Sequence, residues 1–129
     1  MITMNISYGE FADKFTILDI KRMYIKDQEK RRYIELEHAI MTRKWNELAE
    51  KKDLEEVEKL KSKLMHINHI LWGLEDSIRE LERIGDFGPR FIAVSRGIRE
   101  QNWQRFEKKQ EIDRILNSEI REQKEYNPQ

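Results

Sequence analysis

Apolar residues in this chain recur at intervals of three and four, the signature of helices rather than strands. Phe11, Phe15, Leu18 and Ile25 mark one face of the first such stretch, and Ile17, Ile20 and Tyr24 widen it. Ahead of it, Ser7-Tyr8-Gly9-Glu10 has capping-box spacing: Ser7 accepts from the amide of Glu10 while Glu10 reaches back. A first helix is therefore expected over about residues 7–26. The polar run Lys26–Lys30 interrupts the pattern and offers Asp27 as an N-cap. Tyr33, Leu36, Ile40, Trp45 and Leu48 then predict a second helix over about 28–51. Asp53-Leu54-Glu55-Glu56 repeats the capping-box spacing and opens a third.

The third helix, expected over about 54–84, carries the clearest pattern. Val57, Leu60, Leu64, Ile67, Leu71, Leu74, Ile78 and Leu81 alternate intervals of three and four, a coiled-coil-like seam that packs at a shallow angle on a neighbour. Gly85 suits the left-handed residue that ends such a helix. Asp86 is placed to cap the next, with Pro89 in its first turn. No breaker interrupts the fourth helix, expected over about 89–124, and Asn127-Pro128-Gln129 reads as a frayed tail. The fold class is all-α: one domain over residues 1–129, an antiparallel bundle of about four helices with long helical hairpins.

Composition agrees and narrows the function. The 129 residues hold 5 Gly and 2 Pro, so turns are few and helices long. Lys+Arg and Asp+Glu number 25 each, leaving no basic excess for a nucleic-acid partner. No run of apolar residues is long enough for a membrane span, and Met1–Ser7 lacks the basic and apolar blocks of a secretory leader, so a cytoplasmic location is expected. With no Cys there is neither a disulfide nor a thiolate site.

The fourth helix breaks the rule of an apolar stripe. Its line reads Phe91, Val94/Ser95, Ile98, Asn102, Arg105, Lys109, Ile112, Leu116, with an amide and two cations in the middle. A buried charge needs a partner. Asn68, Trp72, Glu75 and Arg79 run beside the third helix's seam, and Glu10, Asp13, Lys14 and Lys21 lie along the first helix's other face. These eleven positions, from Glu10 to Lys109, are the candidate ligand-binding residues. Local inconsistency of this kind favours function, although charged residues are 39% of the chain and an ion-pair network or solvated flank reads the same way.

Other chemistry is thinner. His66 and His69 flank the seam at metal-chelating spacing, but no acid follows in a zinc-protease arrangement, and surface histidines are the better reading. Glu75-Asp76 with Glu80, and Glu111 with Asp113, are raw material for Mg²⁺, although successive acids on a helix point about 100° apart. Arg79, Arg105, Lys109 and Lys21 would suit a metal-free clamp on a dianion, with Glu75 as countercharge. Gly85-Asp86-Phe87-Gly88 is a helix–helix turn, not a phosphate loop.

The polar positions carry a resemblance. Ser7-x-Gly9-Glu10-x-x-Asp13-Lys14-x-Thr16-Ile17-Leu18-x-x-Lys21 resembles the opening of a family of small bacterial and phage helical domains of unknown function. Asn68-x-x-Leu71-Trp72-x-x-Glu75-Asp76-x-Ile78-Arg79, then Phe91, then Asn102-x-x-Arg105-x-x-x-Lys109-x-x-Ile112 are similar to its later motifs, as are Ser118, Glu122, Lys124 and Tyr126. The bulky Trp103 and Phe106 depart from it. The resemblance implies a compact helical domain with a polar signature, near surface-polysaccharide genes, and no reaction.

The expected function is that of a helical interaction protein, self-associating as a homo-oligomer through its seam and exposed aromatics (Trp45, Trp103, Phe106). Its polar inter-helix cluster would bind an anionic small molecule. The alternative is a metal-free or Mg-dependent enzyme acting on a sugar phosphate, nucleotide or similar dianion. No metal, cofactor, nucleic acid or membrane is expected as a partner. On the interaction reading, Arg105→Met is expected to leave function intact and even to steady the fold; on the small-molecule reading it abolishes ligand response while the helices still form.

Overall fold

The computed structural model describes residues 1–126, and the expected frayed tail at 127–129 lies outside them. Four helices follow in order: α1 (Tyr8–Tyr24), α2 (Gln28–Lys51), α3 (Glu55–Arg83) and α4 (Pro89–Leu116). No strand occurs among the described residues. No described helix is long and apolar enough to cross a membrane.

The starts follow their caps in part. Ser7 accepts from the Glu10 amide at 3.0 Å and Asp27 from the Lys30 amide at 3.0 Å. Asp53 accepts instead from the amide of Glu55, leaving Leu54 at the N-cap of α3. Asp86 accepts from Gly88, which is itself the N-cap of α4. Gly85 takes φ 74° and turns the chain between α3 and α4.

The end of α4 is a correction. The helix stops at Leu116, eight residues before the expected Lys124, because Asn117 adopts the left-handed conformation at φ 55°. Asparagine tolerates that conformation where most residues do not. The Ser118 amide then bonds the Asp113 carbonyl at 2.8 Å, and residues 118–126 turn back across the helix that precedes them.

The backbone of α1 packs on each of the other three helices, and α3 packs on α4, whereas α2 approaches only α1. The α2 stripe is a second correction. Tyr33, Leu36 and Ile40 are exposed and Ile34 and Met41 are buried in their place, while Trp45 and Leu48 of the expected stripe do face the core. The phase is set by α1, whose Phe11 and Phe15 rings lie 6.2 and 6.1 Å from Trp45. Trp45 is thus core, not an exposed docking aromatic. Its indole N–H donates to Glu58 at 2.7 Å, and Lys61 rides over it at 4.3 Å, so α2 reaches α3 through side chains. Ala12, Leu18, Val57, Leu60, Leu64, Ile112 and Leu116 complete the core.

The helices differ widely in reach. At 1.5 Å per residue, the 17 residues of α1 span about 26 Å and the 29 of α3 about 44 Å. The α1 helix ends where Tyr24 stacks on Trp72, ring centroids 5.5 Å apart. Beyond Trp72, α3 and α4 continue as a two-helix arm. Near the arm's base Gly73 sits mid-helix, and a Cβ there would meet nothing within 4 Å. Gly73→Ala is accordingly expected to stabilise the protein by about 1 kcal/mol, read from chemical denaturation; a loss of stability would mean that something packs against this position.

Candidate functional site

Three helices bring their polar residues to one place. Asp13, on the inner face of α1, is 0% exposed. Arg105 of α4 donates to it as a fork: Nε to Oδ1 at 2.8 Å and Nη2 to Oδ2 at 2.5 Å. The Asn68 amide of α3 donates to Asp13 Oδ1 and to Thr16 Oγ1, each at 2.9 Å. The Thr16 hydroxyl in turn donates to the Asp13 carbonyl oxygen at 2.7 Å. The buried carboxylate therefore meets a charged donor and a neutral one, the condition under which a buried charge is tolerated.

One turn further along α4 the Lys109 side chain, 6% exposed, lies between Glu10 Oε2 at 2.8 Å and Glu122 Oε1 at 3.0 Å. Next comes Asp113, buried, whose Oδ1 accepts from the Gly9 amide at 2.7 Å and the Ser118 hydroxyl at 2.8 Å. Ser118 Oγ in turn accepts from the Tyr8 amide at 3.1 Å. Three successive amides at the start of α1 thus end on Ser118, Asp113 and Ser7. A carboxylate at a helix N-terminus also complements the helix dipole.

Five of the candidate residues, Glu10, Asp13, Asn68, Arg105 and Lys109, meet here. Asn102 joins Glu10, Arg105 and Lys109 on the wall of a cleft of about 190 Å³, shared with Phe106, Glu122 and Lys124. The others do not. Lys14 and Lys21 are exposed; Lys14 follows Asp13 by one residue and so points about 100° away. Trp72 stacks on Tyr24. Arg79 is exposed and pairs with Asp76 on its own helix, while Glu75 lies on the arm. Trp103 and Phe106 are half-buried against each other, centroids 5.2 Å apart. Thr16, Asp113, Ser118 and Glu122 complete the cluster without having been singled out as ligand-binding. For Asp113 a signal existed: Asn102, Arg105, Lys109 and Asp113 follow one another at intervals of three, four and four.

The remaining chemistry does not assemble. Among the described residues no three His, Asp or Glu side chains converge as a metal site. Glu80 pairs with Arg83, and Asp113 is spent on the start of α1. His66 and His69 are exposed, His69 against the Tyr24 hydroxyl.

A family model described as a family of unknown function, DUF6165, matches residues 2–129. The chain belongs to DUF6165. No curated protein and no solved structure matches it.

In this DUF6165 chain the charge on Lys109 is a test of the network. Burial works to lower its pKa, but the bonds to Glu10 and Glu122 and the nearby charge of Asp13 outweigh it and hold the ammonium above the ordinary lysine value. A cation so held contributes stability below its unfolded pKa of about 10.4 and loses it as pH rises through the raised native value. Denaturation of wild type and Lys109→Met from about pH 7 to about 11.5 should show a constant gap up to about pH 10, then a narrowing one. A gap that closes between about pH 7 and 9 would contradict the assignment.

Proposed function

We propose that this protein is a helical interaction protein that acts by self-association, with the Asp13–Arg105 cluster as the scaffold that fixes how its helices meet. The observation behind the reading is the arm. Beyond Tyr24 no third helix among the described residues covers α3 and α4: Leu74, Ile78, Phe91 and Ile98 are only half-buried, and Ile84, Phe87 and Ile92 at the tip are exposed. Monomeric proteins seldom leave apolar surface of this kind contiguous, and pairing of copies is the commonest way to cover it. Within the cluster both cations are already matched, Arg105 by Asp13 and Lys109 by Glu10 and Glu122, and Asp113 adds a fourth carboxylate. This suits a scaffold better than an open anion site or a reactive centre. Sedimentation of the wild-type protein tests the reading: a dimer at micromolar concentration is expected, and a monomer throughout would overturn it.

A second role is favoured by the cleft. The Arg105 side chain is 29% exposed there, with Asn102 and Lys124 beside it. An anionic small molecule of a bacterial or phage cytoplasm would enter at that point. Melting curves against a panel of sugar phosphates and nucleotides test this, with Asn102→Ala and Lys124→Ala alongside. At about a hundred times its dissociation constant a true ligand adds about 2.7 kcal/mol, and both variants should reduce the gain. Flat curves across the panel would dismiss the role.

A further inference from the structure

The groove that α1 fills between α3 and α4 does not end where α1 ends. On α3, Asn68 bonds to α1 and Trp72 stacks on it. Glu75 and Arg79 continue that line at the next intervals of three and four. On α4, Arg105 meets α1, and Asn102, Ile98 and Phe91 continue its line past Tyr24. The uncovered stretch is therefore the same kind of helix seat as the covered one, apolar along its floor with one acid and one base at its edge.

Composition points to the occupant. Between Lys63 and Lys108 the chain has six arginines and no lysine, although it holds 13 lysines outside that span. Enrichment of arginine and depletion of lysine is the compositional mark of protein interfaces. The charges are also self-complementary. The arm's α3 interleaves Glu75, Asp76, Glu80 and Glu82 with Arg79 and Arg83. Antiparallel pairing about a two-fold axis beside Glu75 and Arg79 lays α3 on α3, so that each copy's acid meets the other's base twice over, which a closed homodimer requires.

Resting on the self-association proposed above, we infer that a second copy of this chain occupies the uncovered seat, the two arms crossing antiparallel about a two-fold axis to form a four-helix bundle, with Glu75 of each copy facing Arg79 of the other. Arm pairing covers Ile78, Ile98 and Phe91 on both sides at once. The outer face of α2, with Tyr33, Leu36 and Ile40, is the competing surface: it is apolar and exposed, but the helix bears both lysine and arginine and has no groove.

The test is a charge exchange on the full chain, followed by analytical ultracentrifugation with helical circular dichroism as the check on folding. Glu75→Arg and Arg79→Glu, each alone, set like charges face to face and should weaken dimerisation on the order of a hundredfold. The double exchange Glu75→Arg/Arg79→Glu should restore it. Single variants that weaken the dimer without rescue by the double would overturn the facing pair. A dimer untouched by these changes but dissociated by Leu36→Glu would move the interface to α2, overturning the arm while leaving self-association standing. A monomeric wild type would remove both.

Discussion

Arg105→Met is expected to lower the free energy of unfolding by about 3–5 kcal/mol, the loss typical when one partner of a buried ion pair is removed. The guanidinium supplies both strong donors to a carboxylate that water does not reach, and Asn68 alone cannot replace them. A domain of this size has only about 5–15 kcal/mol in total, so the variant should melt far earlier, with helices intact at low temperature. This reverses the expectation drawn from the residue pattern, that an apolar residue here is harmless. That expectation holds only when both charges go. Asp13→Leu/Arg105→Met should recover roughly half or more of the loss, because no orphaned carboxylate is left behind. A single variant within about 0.5 kcal/mol of wild type by urea denaturation would show that Asp13 does not depend on Arg105.

Gly9→Ala should destabilise by about 2 kcal/mol, although Gly→Ala inside a helix ordinarily stabilises by about 1. A Cβ at Gly9 would run into the Lys109 carbonyl oxygen and come within 3.0 Å of both the Lys109 carbonyl carbon and Asp113 Oδ1. Most of those atoms are backbone and cannot swing aside. The first turn of α1 would have to lift from α4, stretching the 2.7 Å bond from the Gly9 amide to Asp113. The opposite signs expected at Gly9 and Gly73 separate close approach from propensity, since both glycines are helical. Equal stabilisation at both positions would show that α1 and α4 are not in contact as described.

Much of this was written in the residue pattern. The α3 seam from Val57 to Leu81 was legible because an unbroken alternation of three and four admits only one inward face. The first half of the α2 stripe was not: Tyr33/Leu36/Ile40 and Ile34/Met41 both lead at helical spacing towards Trp45 and Leu48, and only the aromatic face of α1 decides between them. Within the cluster, Asp13, Asn68, Arg105 and Lys109 stood out because charges and amides interrupted inward positions. Ser118 and Glu122 did not, because their roles depend on the left-handed turn at Asn117. The signal for that turn is Asn117 itself, a weaker mark of a helix end than Gly or Pro. Glu75 and Arg79 extend the line through Asn68 and Trp72 on the sequence, and nothing in the pattern shows that the end of α1 falls at Trp72, short of both.

The clasp between the chain's two ends has a consequence for synthesis. Asp13 and Arg105 are 92 positions apart, and Tyr8 and Ser118 are 110 apart. While the ribosome adds the intervening residues at about 5–20 per second, the α1 carboxylate waits some seconds without its guanidinium. The α1–α2 pair therefore emerges with its inner face wet and settles only when the last helix is released, so docking of α1 is the late, long-range step of folding.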